Sequence, residues 1–486
     1  MAVVFQNLSA NNPQDLAQAF VTAVNSGSTN IRFVQNVPAK FHNALGVDNA
    51  LKFVRNLSFG PGITIHDQAF GHSDGDTQPI LPTTTILSFD SLETLTFEKR
   101  SIVAGDQIFG AFAFGKTVLS KVIVKFPSLK TITIEDKVQI IGDDLFGTSA
   151  SGSVSESRIT FPILDTISIG KDVVIEGNRV FGSSNYTGGV SYGADMPTLT
   201  TLTIGDDVHF KGDCFFGAQA QFFEDPPKSG SDGGKVFGAR VRTLTEFIIG
   251  ANARIDGDCF LGAASSKGGV VFGAIFDDVT LFELGKNGVI QGNNFFGASE
   301  TSLTEDPKAI AVGAYFPKLA MLTLGEKVEI TGKAAFGFKR GGFPINKAFP
   351  PTVGTLSDAN GSNEAVINRL TDADPGFDKT GLVPATEVQT DASVGAGTKF
   401  NDDTFGFVGS NVSLTLMKLE GASSDGRSIT FSDRSSVGIT DPFDSDNIVQ
   451  VAKSDTAQNV ALLFLFYSAL IVATYMMVVV SGPSGQ

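Results

Sequence analysis

Between residues 92 and 337 the apolar and polar positions follow one pattern that recurs seven times. The copies are LETLTFEKRSIVAGDQIFG (92–110), LKTITIEDKVQIIGDDLFG (129–147), LDTISIGKDVVIEGNRVFG (164–182) and LTTLTIGDDVHFKGDCFFG (199–217). LTEFIIGANARIDGDCFLG (244–262), VTLFELGKNGVIQGNNFFG (279–297) and LAMLTLGEKVEITGKAAFG (319–337) complete the set. The shared unit is L-x-x-L-x-[IFL]-x-x-x-V-x-I-x-G-[DN]-x-x-F-G. Its leading residues, Leu92, Leu129, Leu164, Leu199, Leu244, Val279 and Leu319, are 37, 35, 35, 45, 35 and 40 positions apart. Variation falls between the units, where loops belong.

Each unit holds two runs with alternating apolar residues, such as Leu129/Ile132/Ile134 and Val138/Ile140. Polar or glycine positions separate them. This predicts strand, turn, strand, with the alternate side chains pointing inward. A further element precedes several leading residues (SYGADMPTL, VFGARVRTL, VFGAIFDDV, VGAYFPKL) and predicts a third short strand with a Gly-Ala corner. A coil of two or three strands cannot bury its own face, so the coils must stack, which predicts a mainly β fold, a parallel β-solenoid. The closing phenylalanines, Phe109, Phe146, Phe181, Phe216, Phe260 (with Leu261), Phe296 and Phe336, then form an internal ladder of rings. The glycine after each supplies a left-handed turn or a close approach between coils.

Weaker copies extend the array. NLSFGPGITIHDQAFG (56–71) keeps the strand pair, and IRFVQNVPAKFHNALG (31–46) is a worn first copy. VGAGTKFNDDTFG (394–406) and ITFSDRSSVGITDPFD (429–444) echo part or all of the unit. Upstream, NNPQDLAQAFVTAVNSG (11–27) predicts a helix with Asn12 as N-cap, Pro13 in the first turn and Gly27 at the stop. Its stripe of Leu16, Phe20, Val21 and Val24 suits the open face of the first coil. The expected organisation is therefore a capping helix (1–30), solenoid repeats (31–337), an irregular insertion (338–393), degenerate repeats (394–450), and a linker with an apolar tail (451–486). The segments 218–235 and 338–393 are rich in Pro, Gly and Asp and predict protruding loops suited to partner contacts.

The unit LKTITIEDKVQIIGDDLFG resembles that of the BspA-like leucine-rich-repeat family, roughly L-x-x-I-x-I-P-x-x-V-x-x-I-G-x-x-A-F. The likeness spans about residues 54–340. It departs in having Gly, Glu or Lys in place of the usual proline, a longer period, and no cysteine after the Phe. The resemblance implies a solenoid of leucine-rich-repeat type and a non-enzymatic surface or adhesion role.

Composition narrows the partners. The 486 residues include 36 Lys+Arg against 51 Asp+Glu, for a net charge of −15. Such a surface repels phosphate backbones and argues against nucleic acid. With 42 Phe, 54 Gly and no Trp, the chain has the materials for many short strands over a phenylalanine core. Val460–Val480 runs 21 residues without a charge, enough for about 30 Å of helix. It predicts a single C-terminal membrane span, with Val460, Leu463, Phe466, Leu470 and Val480 among its anchor residues. No secretory leader is read in MAVVFQNLSANN.

Candidate chemistry is sparse. GAFAFGKT (110–117) fits the phosphate-loop pattern G-x-x-x-x-G-K-[ST]. However, Gly110 is the closing glycine of a repeat, and an alternating run follows where a nucleotide site needs a helix. Cys214 and Cys259 hold the same place in adjacent units, about 4.8 Å apart if the coils stack. That separation is within reach of a disulfide, although two buried thiols fit a chain without an oxidising address better. The corner acids Asp106, Asp143, Asp213 and Asp258 read as solvated turn residues rather than a calcium ladder, because the calcium repeat G-G-x-G-x-D is absent and Asn178, Asn293 and Lys333 replace Asp in other copies. The histidines His42, His66, His72 and His209 show no metal-ligand spacing. The sequence thus points to no catalytic, cofactor, nucleotide or metal site. It points to a membrane-anchored scaffold that contacts other proteins, or further copies of itself, in a large assembly such as a virion shell or surface layer. The alternative is an adhesion protein.

Overall fold

The computed structural model describes residues 5–339, apart from 11, 75–80, 116–117, 153, 187, 221–233, 266–269, 301–309, 317, 333–334 and 336–337. Beyond residue 339 it describes the backbone of 347–349, 352–353, 390–394, 399–400, 413–418, 427–432, 437–440 and 448–451. The chain is a parallel β-solenoid. Its strands form four sheets of 15, 12, 9 and 8 members, each sheet climbing the stack one coil at a time.

One coil shows how the repeat is spent. Thr131–Ile134 lies in the 15-stranded sheet, Gln139–Ile140 in the nine-stranded, Thr148–Ser151 in the eight-stranded and Ser155–Thr160 in the 12-stranded. Each pairs in parallel with its counterpart in the next coil, Thr131 with Thr166, Gln139 with Val174, Thr148 with Ser183 and Glu156 with Val190. The coil therefore has four strands. The one not expected follows the Phe-Gly step and is built of small residues: Thr148–Ser151 reads TSAS and Ala218–Ala220 reads AQA. Together with the 12-stranded sheet it makes a narrow wing beside the main core, packed through Ala218, Ala220, Val236, Ala263, Val271, Ala298 and Ala311.

The main core is a set of aromatic rows. Phe70, Phe109, Phe146, Phe181 and Phe216 stack at centroid separations of 5.1, 5.5, 5.4 and 5.3 Å, with ring planes within 17° of parallel. A second row joins Phe89, Phe126 and Phe161 at 4.6 and 4.9 Å, and a third joins Phe33, Phe59 and Phe97 at 5.7 and 5.3 Å. Parallel stacking of identical positions enforces these offset contacts, which add to the burial of each ring.

Phe260 departs from the expected ladder. Ala218 pairs with Ala263, so Leu261 is the residue in register with Phe216. Phe260 instead stacks between Phe215 at 5.2 Å and Phe295 at 5.3 Å, in a row one position earlier. It meets Phe216 only edge-on at 6.5 Å. Phe296 packs edge-on against Phe282 and Phe295, and Phe336 lies outside the described residues.

The closing glycines act by close approach. A Cβ on Gly182 would lie 2.1 Å from the Cys214 carbonyl oxygen of the next coil. The left-handed conformation falls instead on the non-glycine residue after each corner Asp or Asn: Gln107, Asp144, Arg179, Cys214, Cys259 and Asn294, at φ of 48 to 56°.

The ends are handled differently. Helix α1, Pro13–Asn25, starts at Asn12, whose side chain accepts the Asp15 N–H at 2.9 Å. Leu16, Phe20 and Val24 are buried on the first coil, with Phe20 6.0 Å from Phe33. At the far end, Phe338–Lys339 continues the eight-stranded sheet, and Lys347–Phe349 and Thr352–Val353 the 12-stranded one, into the segment expected to be irregular. Thr390–Val394 and Lys399–Phe400 then continue the other two in parallel. Past that point the sequence echoes do not form further coils. Arg427–Ser432 pairs antiparallel with Thr390–Val394, and Ser413–Lys418 antiparallel with Arg427–Ser432.

Candidate functional site

The phosphate-loop match is a seam between coils. Ala111–Phe114 is a strand of the wing, and the backbone N–H groups a phosphate would need are already donating. Ala111 N–H donates to the Gly147 oxygen at 3.2 Å, Gly115 N–H to Ser151 at 2.9 Å, and Phe114 N–H to the Asp74 carboxylate at 3.2 Å. Ser120–Lys125, a strand, follows in place of a helix. Lys116 and Thr117 lie outside the described residues.

The corner acids form a continuous hydrogen-bonded ladder. Asp67 Oδ1 accepts the Asp106 N–H at 3.0 Å, Asp106 the Asp143 N–H at 2.9 Å, and Asp143 the Asn178 N–H at 2.9 Å. Asn178 accepts from Asp213, Asp213 from Asp258, and Asp258 from Asn293, each at 2.7 Å. The acceptor oxygen is what the position requires, which is why Asn and Asp interchange there. Burial raises the Asp106 and Asp213 carboxyls above the usual range, and the neighbouring acids of the ladder add to the rise.

Behind the ladder runs a buried polar seam. Arg179, 5% exposed, donates through Nε to Asp144 Oδ1 at 2.8 Å and through a terminal nitrogen to Asp143 Oδ2 at 2.8 Å. Its guanidinium also lies 5.9 Å from the Tyr186 ring. Asp144, with no exposed surface, takes further hydrogen bonds from Ser149 at 2.5 Å and Gln107 at 3.2 Å. Cys214 and Cys259 continue the seam as free, fully buried thiols, with Asn294 Nδ2 3.8 Å from Cys259 Sγ. Burial pushes the Cys214 thiol well up, so it is protonated at neutral pH and is a poor nucleophile. Within the seam Arg179, Asp144, Cys214 and Cys259 are buried, and the Asp143 side chain is 30% exposed.

The outside carries the surfaces available to partners. On the 15-stranded sheet, Thr94, Thr131, Thr166 and Thr201 stand in one outward row, with Thr96, Thr133, Ser168 and Thr203 in the next. Ion pairs cross the coils along other faces, such as Lys121–Glu156 at 2.7 Å and Lys99–Asp136 at 3.3 Å. On the wing, Leu81, Ile86 and Leu119 are 72%, 52% and 46% exposed. The loop 221–233 and most of the insertion after 339 lie outside the described residues, as do the proposed anchor residues Val460, Leu463, Phe466, Leu470 and Val480. Among the described residues no helix is long and apolar enough to cross a membrane.

Comparison of the chain with family models, with curated proteins and with solved structures finds no match in any of the three.

Proposed function

We propose that the protein is a non-enzymatic structural scaffold, held to a membrane by Val460–Val480 and contacting other proteins of a large assembly through the faces of its solenoid. The observation that carries this reading is the in-register stack itself. Position after position, from Asp67 to Asn293, is bonded to its equivalent in the next coil, so the body is a stacked rod bearing in-register rows of side chains. Such rows, repeating at about 4.8 Å, suit extended contact with other protein surfaces. The length and apolarity of residues 460–480 support the anchor.

Deleting residues 460–486 tests the anchor. The expected result is release of the body into the soluble fraction, and persistent membrane association would refute it. Protease digestion of intact cells or particles tests the setting. Protection of the rod supports an assembly component, whereas cleavage of an outward-facing rod supports the adhesion reading that the BspA-like resemblance suggests.

A further inference from the structure

The N-terminal cap closes the main core and leaves the wing open. Helix α1 packs on the first coil, and Val37 pairs with the start of the nine-stranded sheet. The Val37 N–H donates to Thr64 at 2.9 Å, and its oxygen accepts from His66 at 3.1 Å. Among the described residues the 12-stranded sheet has no such cover. It starts at Thr83–Ser88, whose one neighbour is Ser120–Lys125, paired in parallel from Thr83 with Ser120 to Ser88 with Lys125.

The hydrogen bonds show which side of this strand is spent. Thr83 N–H donates to the Leu119 oxygen at 2.9 Å and Phe89 N–H to the Lys125 oxygen at 3.0 Å. Bonding residues alternate along a parallel ladder, so Thr85 and Leu87 face the same neighbour. The N–H and C=O groups of Thr84, Ile86 and Ser88 therefore point to the open side. A row of free donors and acceptors is a template for another strand, which proteins usually guard with lysine, proline or a bulge. Thr83–Ser88 reads TTTILS and carries no charge or proline in its six residues. Ile86 on this strand is exposed, as are Leu81 just before it and Leu119 at the start of its neighbour.

The strand is complementary to itself. In an antiparallel pair centred on Ile86, Ile86 faces Ile86 of the partner subunit, and Thr84 faces Ser88 of the partner subunit. The facing residues are then the ones whose N–H and C=O groups point outward, so every free backbone group of the row is bonded. Isoleucine packs on isoleucine across the pair. Ser88, whose hydroxyl donates to Asp90, has its oxygen left to accept from threonine. An uncharged contact also suits a chain of net charge −15, whose charged faces repel a second copy.

We propose that Thr83–Ser88 is the edge through which two copies of this chain pair, running the 12-stranded sheet of one into that of the other across a two-fold axis. Such a contact uses the same patch on both copies and closes at a dimer. It deepens the scaffold reading by naming one partner and rests on that reading only for its setting. The anchored scaffold still stands or falls on deletion of residues 460–486, whatever Thr83–Ser88 does.

The test is bridging of introduced thiols in the full-length chain in detergent solution, with the short bis-thiol reagent dibromobimane, read as a dimer on a denaturing gel. Cys214 and Cys259 are buried, so the added thiol is the exposed one. Ile86→Cys should give a bridged dimer, since paired Cα atoms lie about 5.5 Å apart. Thr84→Cys alone should not, because its own counterpart lies about 14 Å along the strand. Thr84→Cys mixed with Ser88→Cys should bridge again. Ile163→Cys, 40% exposed on a turn of another coil, sets the background. Adding Thr84→Pro to Ile86→Cys removes a donor from the open side and none from the ladder to Ser120–Lys125. The fold should hold while pairing weakens at least about tenfold. Bridging of Ile86→Cys no greater than that of Ile163→Cys, as when the parent is monomeric or another protein covers the edge, would overturn the proposal. So would bridging that survives Thr84→Pro in a protein of unchanged circular dichroism.

Discussion

Phe216 offers a graded test of the aromatic rows, because the protein supplies its own control at the equivalent place one coil on. Phe216 has no exposed surface and stacks on Phe181 at 5.3 Å. It also meets Phe215, Phe247 and Phe276 edge-on at 4.8, 5.8 and 5.8 Å. Truncation to alanine removes the ring from a site that neighbouring coils hold open, so the loss should be about 4 kcal/mol. Leucine, which Leu261 shows the position accepts, keeps most of the volume and forfeits chiefly the ring contacts, for about 1.5 kcal/mol. Phe216→Asp buries an unpaired carboxylate and should prevent this part of the stack from forming.

A solenoid need not unfold as one unit, so a single melting midpoint is a blunt readout. Amide hydrogen exchange is sharper. The Ala239 N–H donates to the Phe216 oxygen at 2.7 Å, and the Phe216 N–H to Phe260 at 2.8 Å. Both amides should exchange about a thousandfold faster in Phe216→Ala and about tenfold faster in Phe216→Leu. The Ile102 amide, bonded to Ile63 several coils away, should be unchanged. Equal exchange in the alanine and leucine variants, or a loss below about 1 kcal/mol in both, would refute the stacked-row account.

Three further outcomes follow from the seams. Arg179→Met strands the buried Asp144 and should cost about 3–5 kcal/mol in chemical denaturation, and adding Asp144→Asn should recover most of it. Gly177→Ala places a Cβ 1.9 Å from the Gly142 oxygen and should cost at least about 2 kcal/mol or abolish soluble expression. Asp213→Asn keeps the acceptor that Asn178 and Asn293 provide elsewhere and should stabilise the protein by about 0.5 kcal/mol at neutral pH. The sign follows from the raised folded-state carboxyl: its penalty is full above the folded pKa and fades as pH falls through it. The advantage of the variant should therefore vanish near the ordinary aspartate value of about 3.9, as read by denaturation at several pH values.

Much of the coil was legible because its strands on the main core alternate. Leu129, Ile132, Ile134, Val138 and Ile140 announce their inward faces, and seven copies fix the period. The eight-stranded side of the wing was not legible, although the strand of its 12-stranded side was expected from SYGADMPTL and its counterparts. Its strands TSAS and SSN are buried on both sides and made of small or polar residues, so no apolar alternation marks them. The row of Phe260 is misread when a phenylalanine is sought for the ladder, because GDCFLG has its ring one place early. The 45-residue spacing already puts Leu261 opposite Phe216, as the strand pairing does.

Sequence by itself determined that identical positions must lie above one another, since a repeat that cannot bury its own face has to stack. The tertiary structure decided what each stacked position does. It made the corner acids acceptors for the next coil's N–H groups, placed Arg179 over Asp144, and used the GAFAFG backbone as a strand in the wing. It also set His42 beside His72 across 30 residues. The physical reason is one of distance. Periodicity reports which side chains point inward along one strand, whereas partners in a solenoid sit a full coil apart, where only the register of stacking brings them within bonding reach.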